Sequence, residues 1–164
     1  MESDRLVSKI LLFIDGSEGC IYAAKFGIAL AKVTGAELKA LYVVNTNLLR
    51  QLEKARIFVK VEEIDFGRDL EEDGRRYLRH ITELALRKEV SIETELLKGN
   101  VHELVIQEIK KWNADLLIIG ELEPILSKQD TFHDEAEIIF RKAHCSVLVI
   151  KNPERVDQIY EELS

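Results

Sequence analysis

The feature that most constrains this chain is an alternation. Short, nearly continuous apolar runs are separated by longer stretches with helical spacing. The runs are Lys9–Ile14, Leu38–Val44, Asp115–Gly120 and Ser146–Lys151, and Ile92–Leu97, more polar, reads as a further strand between the second and the fourth. Apolar runs this short, bounded by turn residues, read as strands buried on both faces. Between them, apolar residues recur every three or four positions, as on one face of a helix. Glu18–Val33 does this through Ala24, Ile28 and Ala31, with Gly35 as a stop. Leu70–Lys88 does it through Tyr77, Ile81, Leu84 and Ala85. Val101–Trp112 follows through Leu104, Val105 and Ile109, with Asn100 placed to cap it, and Thr131–Ala143 through Phe132, Ala136, Ile139, Phe140 and Ala143.

Strands alternating with amphipathic helices imply βαβ units. Right-handed crossovers leave the doubly wound sheet as the foremost topology. The expected fold is therefore a single α/β domain: a five-stranded parallel, Rossmann-like sheet with helices on both faces. Ligands of such sheets bind beyond the carboxyl ends of the strands, where strand order reverses. That singles out the loops starting at Asp15, Asn45 and Gly120. Two segments fit the alternation less well. Asn45–Phe66 is a long connection, expected to hold a short helix and then an extended piece or a flap. Residues 152–164 read as an acidic, helical C-terminal tail, with Val156, Ile159, Tyr160 and Leu163 available to pack on a neighbour.

Composition excludes several classes. A chain of 164 residues has room for one ordinary domain, and 46% hydrophobic residues suffice for its core. No apolar run reaches the roughly 18 residues of a membrane span. The first five residues carry two acids and no long apolar stretch, so no signal peptide is expected. Thirty acidic against 23 basic side chains give a net charge of −7 and no basic stripe, which argues against nucleic-acid binding. The two cysteines, Cys20 and Cys145, lie far apart and outside any Cys-x-x-Cys pair. Reduced thiols in a cytoplasmic protein are the expectation, without structural zinc. No nucleophile elbow, His-Glu-x-x-His pair or Walker-type phosphate loop is present, so no catalytic activity is expected. Weak nucleotide hydrolysis is the alternative. The acidic loop around His133 matches no metal-binding spacing, and no metal is expected there. His80, His102 and His144 are scattered and read as helix-surface or helix-end residues.

Four segments in order resemble the universal stress protein family. Lys9–Glu18 (KILLFIDGSE) is similar to its first strand and Asp-Gly-Ser turn, and Ala36–Val44 to its second strand. Asn113–Gly120 is similar to its fourth strand, and Ala143–Ile150 to the join between its last helix and last strand. The resemblance spans residues 8–151. It implies an adenine-nucleotide site in which Asp15 lies near the ribose, the Val43 backbone faces the adenine, and Gly120 begins the phosphate loop. Each residue also has a plainer reading: Asp15 as a turn acid capping the first helix, Val43 as a buried strand residue, Gly120 as a strand end. The resemblance further implies a homodimer joined through the last strand, Ser146, Val147, Leu148, Val149 and Ile150, unless the tail covers that edge.

Nucleotide-binding members carry Gly-x2-Gly-x9-Gly-[Ser/Thr] after the fourth strand. Aligned without a gap, Gly120 keeps the first position, whereas Glu123, His133 and Asp134 replace the other three. Side chains there fill the space through which backbone N–H groups approach phosphate. Asp134 and Glu135 also place carboxylates in the first turn of the next helix, where an anion would otherwise sit. From Glu121 to Glu137 the acids are Glu121, Glu123, Asp130, Asp134, Glu135 and Glu137, against the single base Lys128. Two like charges about 5 Å apart repel by roughly 3 kcal/mol at an effective dielectric of about 20. The expectation is a binding or regulatory member that holds no cofactor and acts through an unidentified protein partner. An ATP- or AMP-binding member is the alternative.

Overall fold

A computed structural model describes residues 5–47, 50, 54, 60–122 and 135–164, with residues 60–66 described by their backbone alone. The strands are β1 (Lys9–Ile14), β2 (Glu37–Asn45), β3 (Glu93–Gly99), β4 (Leu116–Ile119) and β5 (Ser146–Val149). The helices are α1 (Glu18–Thr34), α2 (Lys60–Arg87), α3 (Val101–Trp112), α4 (Glu135–Lys142) and α5 (Pro153–Glu162). All strand pairings are parallel, in the order β3-β2-β1-β4-β5. This is the doubly wound α/β sheet expected from the alternation. The chain winds outward from β1 to β3, then crosses to β4 on the other side of β1. The switch point therefore lies between the carboxyl ends of β1 and β4.

Alternating residues of the strands feed two cores. Ile10, Leu12, Ile14, Leu38, Ala40 and Tyr42 pack under α1, α2 and α5. Leu11, Phe13, Leu41, Val43, Leu117 and Ile119 pack under α3 and α4. The central strands are buried on both faces, which explains their uninterrupted hydrophobicity.

Local chemistry sets the helix ends. Gly35, in left-handed conformation at φ 75°, closes α1 by donating its N–H to Ala31 O at 2.8 Å. The Asn100 side chain accepts from Glu103 N at 3.2 Å and starts α3, as its position before the apolar stripe predicts. Asp115 lies just before β4 and accepts from Ser8 N and Lys9 N, fixing where β1 begins.

Two sequence expectations need correction. Helix α2 begins at Lys60, ten residues before the expected Leu70, so the end of the Asn45–Phe66 connection is helical. Gly67 lies inside this helix, where one glycine costs only about 1 kcal/mol. The expected extended piece at Ile57–Val59 lies outside the described residues, as does Thr131–Asp134, the start of the expected fourth helix. The C-terminal segment packs on its own chain: Val156 and Tyr160 are buried against α1 and α2. Tyr160 donates its hydroxyl to Leu84 O at 2.7 Å, and Lys25 meets Asp157 at 2.7 Å. Among the described residues, no helix is long and apolar enough to cross a membrane.

Candidate functional site

Strand register brings the three sequence-predicted residues to one edge. Ile14, the last residue of β1, pairs with Tyr42, so Asp15 emerges level with Val43. On the other side Leu12 pairs with Ile118, so Gly120, just after β4, lies beside the end of β1. Asp15, Val43 and Gly120 thus rim the switch point at the carboxyl ends of β1, β2 and β4.

Each has a structural role as well. Asp15 is exposed, and its Oδ1 accepts from Ser17 N at 2.9 Å and from Ser17 Oγ at 2.6 Å. This Asx turn employs the Ser17 hydroxyl, and Ser17, the residue before α1, makes no side-chain cap to the helix. Asp15 Oδ2 makes no hydrogen bond to a described residue. Gly16 takes φ +83°, the left-handed conformation glycine adopts without strain. The Val43 side chain is buried under α3 and α4, so only its backbone can face the crevice.

Gly120 is required by packing. A Cβ there would lie 2.6 Å from Gly19 C, 2.8 Å from Gly19 O and 3.0 Å from Cys20 N. The start of α1 therefore rests directly on the end of β4, and backbone atoms cannot swing aside. Next to it, Cys20 is buried and donates its thiol to Ser17 O at 3.0 Å. Burial, helped by the charge of Asp15, pushes this thiol up to about 11, so it stays protonated and unreactive at neutral pH. Burial also raises Cys145, and both cysteines are free.

Acids dominate the charge at the ends of β1 and β4 and in the first turn of α4. Among the described residues from the β1 end into α1, from the β4 end, and in the first turn of α4, the charged side chains are Asp15, Glu18, Glu121, Glu135 and Glu137. Glu135 departs from expectation. Its Oε2 accepts from the backbone N–H of His102 at 3.0 Å and lies 2.7 Å from His102 Nδ1. The carboxylate thus satisfies the amino end of the neighbouring helix α3, beyond its own helix. Of the other expected acidic-loop residues, Glu123, Asp130, His133 and Asp134 lie outside the described residues. His80 and His144 are exposed. No three His, Cys, Asp or Glu side chains among the described residues are grouped to hold a metal ion.

A second charged cluster escaped the sequence reading. Lys39, in β2, is buried with its Nζ 2.6 Å from Glu108 of α3 and 2.7 Å from Glu95 of β3. It also lies 5.7 Å from the Trp112 ring centroid. Burial pulls the lysine pKa down, but the carboxylate hydrogen bonds prevail and hold it above its usual value. The signal was present. Lys39 stands among inward-facing strand residues, and Glu108 interrupts the apolar stripe Val101, Val105, Ile109 and Trp112. Nearby, at the amino ends of β2 and β3, an open groove of about 510 Å³ is bordered by Lys32, Glu37, Glu93 and Trp112. It lies across the sheet from the switch point.

Comparison with known proteins matches the model of the universal stress protein family to residues 7–151. A universal stress protein of Methanocaldococcus jannaschii is 30% identical over 152 residues, covering 93% of this chain and 86% of its own. The crystal structure of a universal stress family protein from Burkholderia pseudomallei superposes with a TM-score of 0.67 at 25% identity, covering 89% of this chain and 97% of its own. An AMP-bound family protein from Arabidopsis thaliana superposes with a TM-score of 0.61 at 17% identity, covering 90% and 94%. The plant structure bears on the fold alone.

Proposed function

Because this chain belongs to the universal stress protein family, we propose that it serves a binding or regulatory role in a stress response and does not hold ATP through the family's phosphate loop. One observation carries the reading: every charged side chain described at the ends of β1 and β4 and in the first turn of α4 is an acid. Glu135 already engages nearby helix-end donors with its own carboxylate. A triphosphate entering this crevice meets repulsion where relatives of the nucleotide-binding kind offer glycine backbone. The reading includes no catalytic role, no resident cofactor, a cytoplasmic location and an unidentified protein partner.

It also includes a homodimer through the last strand. Among the described strands β5 pairs only with β4, and Phe140 of α4 is 44% exposed nearby in sequence. Sedimentation velocity is expected to give a dimer, and a monomer at micromolar concentration contradicts that part.

A second reading has a specific observation behind it. Asp15 is exposed and keeps one carboxylate oxygen clear of described partners. A nucleoside or monophosphate brings less negative charge than ATP and suits the remaining rim of Asp15, Val43 and Gly120. The test is a gain of function: Glu123→Gly with His133→Gly and Asp134→Ser. If the acidic loop is what excludes ATP, this variant gains measurable ATP affinity by calorimetry. No gain refutes the loop as the cause.

A further inference from the structure

The Asp15 turn is held from a helix that belongs to none of the segments carrying the family resemblance. Tyr77, near the middle of α2, donates its hydroxyl to Gly16 O at 3.0 Å. Its ring lies against the turn, with Cε2 3.4 Å from where a Gly16 Cβ would stand. The same ring stacks on Tyr42 of β2, with centroids 6.4 Å apart and planes 11° from parallel. Tyr42 immediately precedes Val43. Gly74, one turn before Tyr77, leaves room for this arrangement, since a Cβ there would fall 2.5 Å from Tyr42 Cδ1. One aromatic pair therefore links the turn that carries Asp15 to the strand that carries Val43.

We propose that Tyr77 is a positioning residue for a nucleoside, fixing the Asp15–Ser17 turn so that Asp15 Oδ2 faces the ribose hydroxyls. This deepens the second reading of the site and rests on it. The turn has two anchors. Oδ1 of Asp15 ties the turn to Ser17 from within, and Tyr77 ties Gly16 to α2 from outside. With Gly16 in a left-handed conformation, the Tyr77 hydrogen bond is what selects the orientation of the Gly16–Ser17 peptide, and hence the direction of the Asp15 carboxylate. Tyr77→Phe keeps the ring and its stacking and removes only the hydroxyl.

The experiment compares wild type with Tyr77→Phe in two measurements. Amide exchange by NMR reads the Ser17 N–H without ligand, and calorimetry reads affinity for adenosine and for 2′,3′-dideoxyadenosine. A lost hydrogen bond is expected to speed Ser17 exchange and weaken adenosine by about 2- to 10-fold. Dideoxyadenosine, which lacks the 2′- and 3′-hydroxyls, is expected to bind both proteins equally, and the urea midpoint to fall by no more than the loss of one hydrogen bond. General damage to the fold would move all of these together. Unchanged Ser17 exchange in Tyr77→Phe overturns the inference whatever the ligands do. Faster exchange with unchanged adenosine affinity overturns the positioning role. A wild type that binds no adenosine overturns the nucleoside reading itself, and the exchange measurement tells that failure from the first.

Discussion

Replacing Lys39 by Met removes one buried charge and keeps most of the stem. The ammonium it deletes sits 2.6 Å from Glu108 and 2.7 Å from Glu95, with the Lys39 and Glu108 side chains only 7% and 5% exposed. Glu95, at 27% exposure, can turn toward water, but Glu108 cannot. Stranding one member of a buried ion pair costs about 3–5 kcal/mol. For a chain of this size that lowers Tm by about 6–20 °C. Urea unfolding followed by circular dichroism measures the loss directly. The double variant Lys39→Met with Glu108→Met removes both buried charges and is expected to recover at least about 2 kcal/mol, because a well-packed apolar pair replaces a buried ion pair at little cost. The pH profile gives a further check. Lys39 holds Glu95 below the ordinary carboxylate value of 4.5, so this stability is present above 4.5 and is lost as pH falls through the lowered value. Lys39→Met removes that part of the acid limb. A loss below about 1 kcal/mol, or a double variant as unstable as the single, refutes the reasoning.

Two further outcomes follow from the geometry. Gly120→Ala drives a methyl into the backbone of Gly19 and Cys20, so unfolding should show a loss of about 1–3 kcal/mol, and wild-type stability would mean that packing does not require the glycine. Native Cys20 should resist iodoacetamide near about pH 8 and react only after unfolding, as read by mass spectrometry. Because its thiol ionises near 9.0 when unfolded and about 11 when folded, the unfolded state loses protons first, and stability should fall as pH rises across that window. Cys20→Ala should make this slope shallower, leaving the part that comes from Cys145, Tyr42 and Tyr160, whose ionisation burial also pushes up.

The sheet was legible because its central strands are buried on both faces and therefore nearly uninterrupted: Leu11, Leu12 and Phe13 need no alternation to be recognised. The placement of Asp15 and Gly120 at the carboxyl edge followed from the same pattern, since βαβ connectivity dictates where they emerge. What the sequence concealed are contacts between residues distant along the chain. Glu135 meeting His102 and Tyr77 meeting Gly16 depend on how helices settle against the sheet, and no spacing encodes either. Helix α2 runs longer than the Leu70–Lys88 pattern, with Gly67 inside it weakening the helix without ending it. Gly120 was readable as a strand end or a loop glycine, whereas its close approach to Gly19 emerges only in three dimensions.

Calorimetric titration of ATP into the purified wild-type chain tests the exclusion of triphosphate most directly. The account predicts no binding at micromolar ligand. A micromolar dissociation constant in the wild type, with its own acidic loop intact, would contradict it.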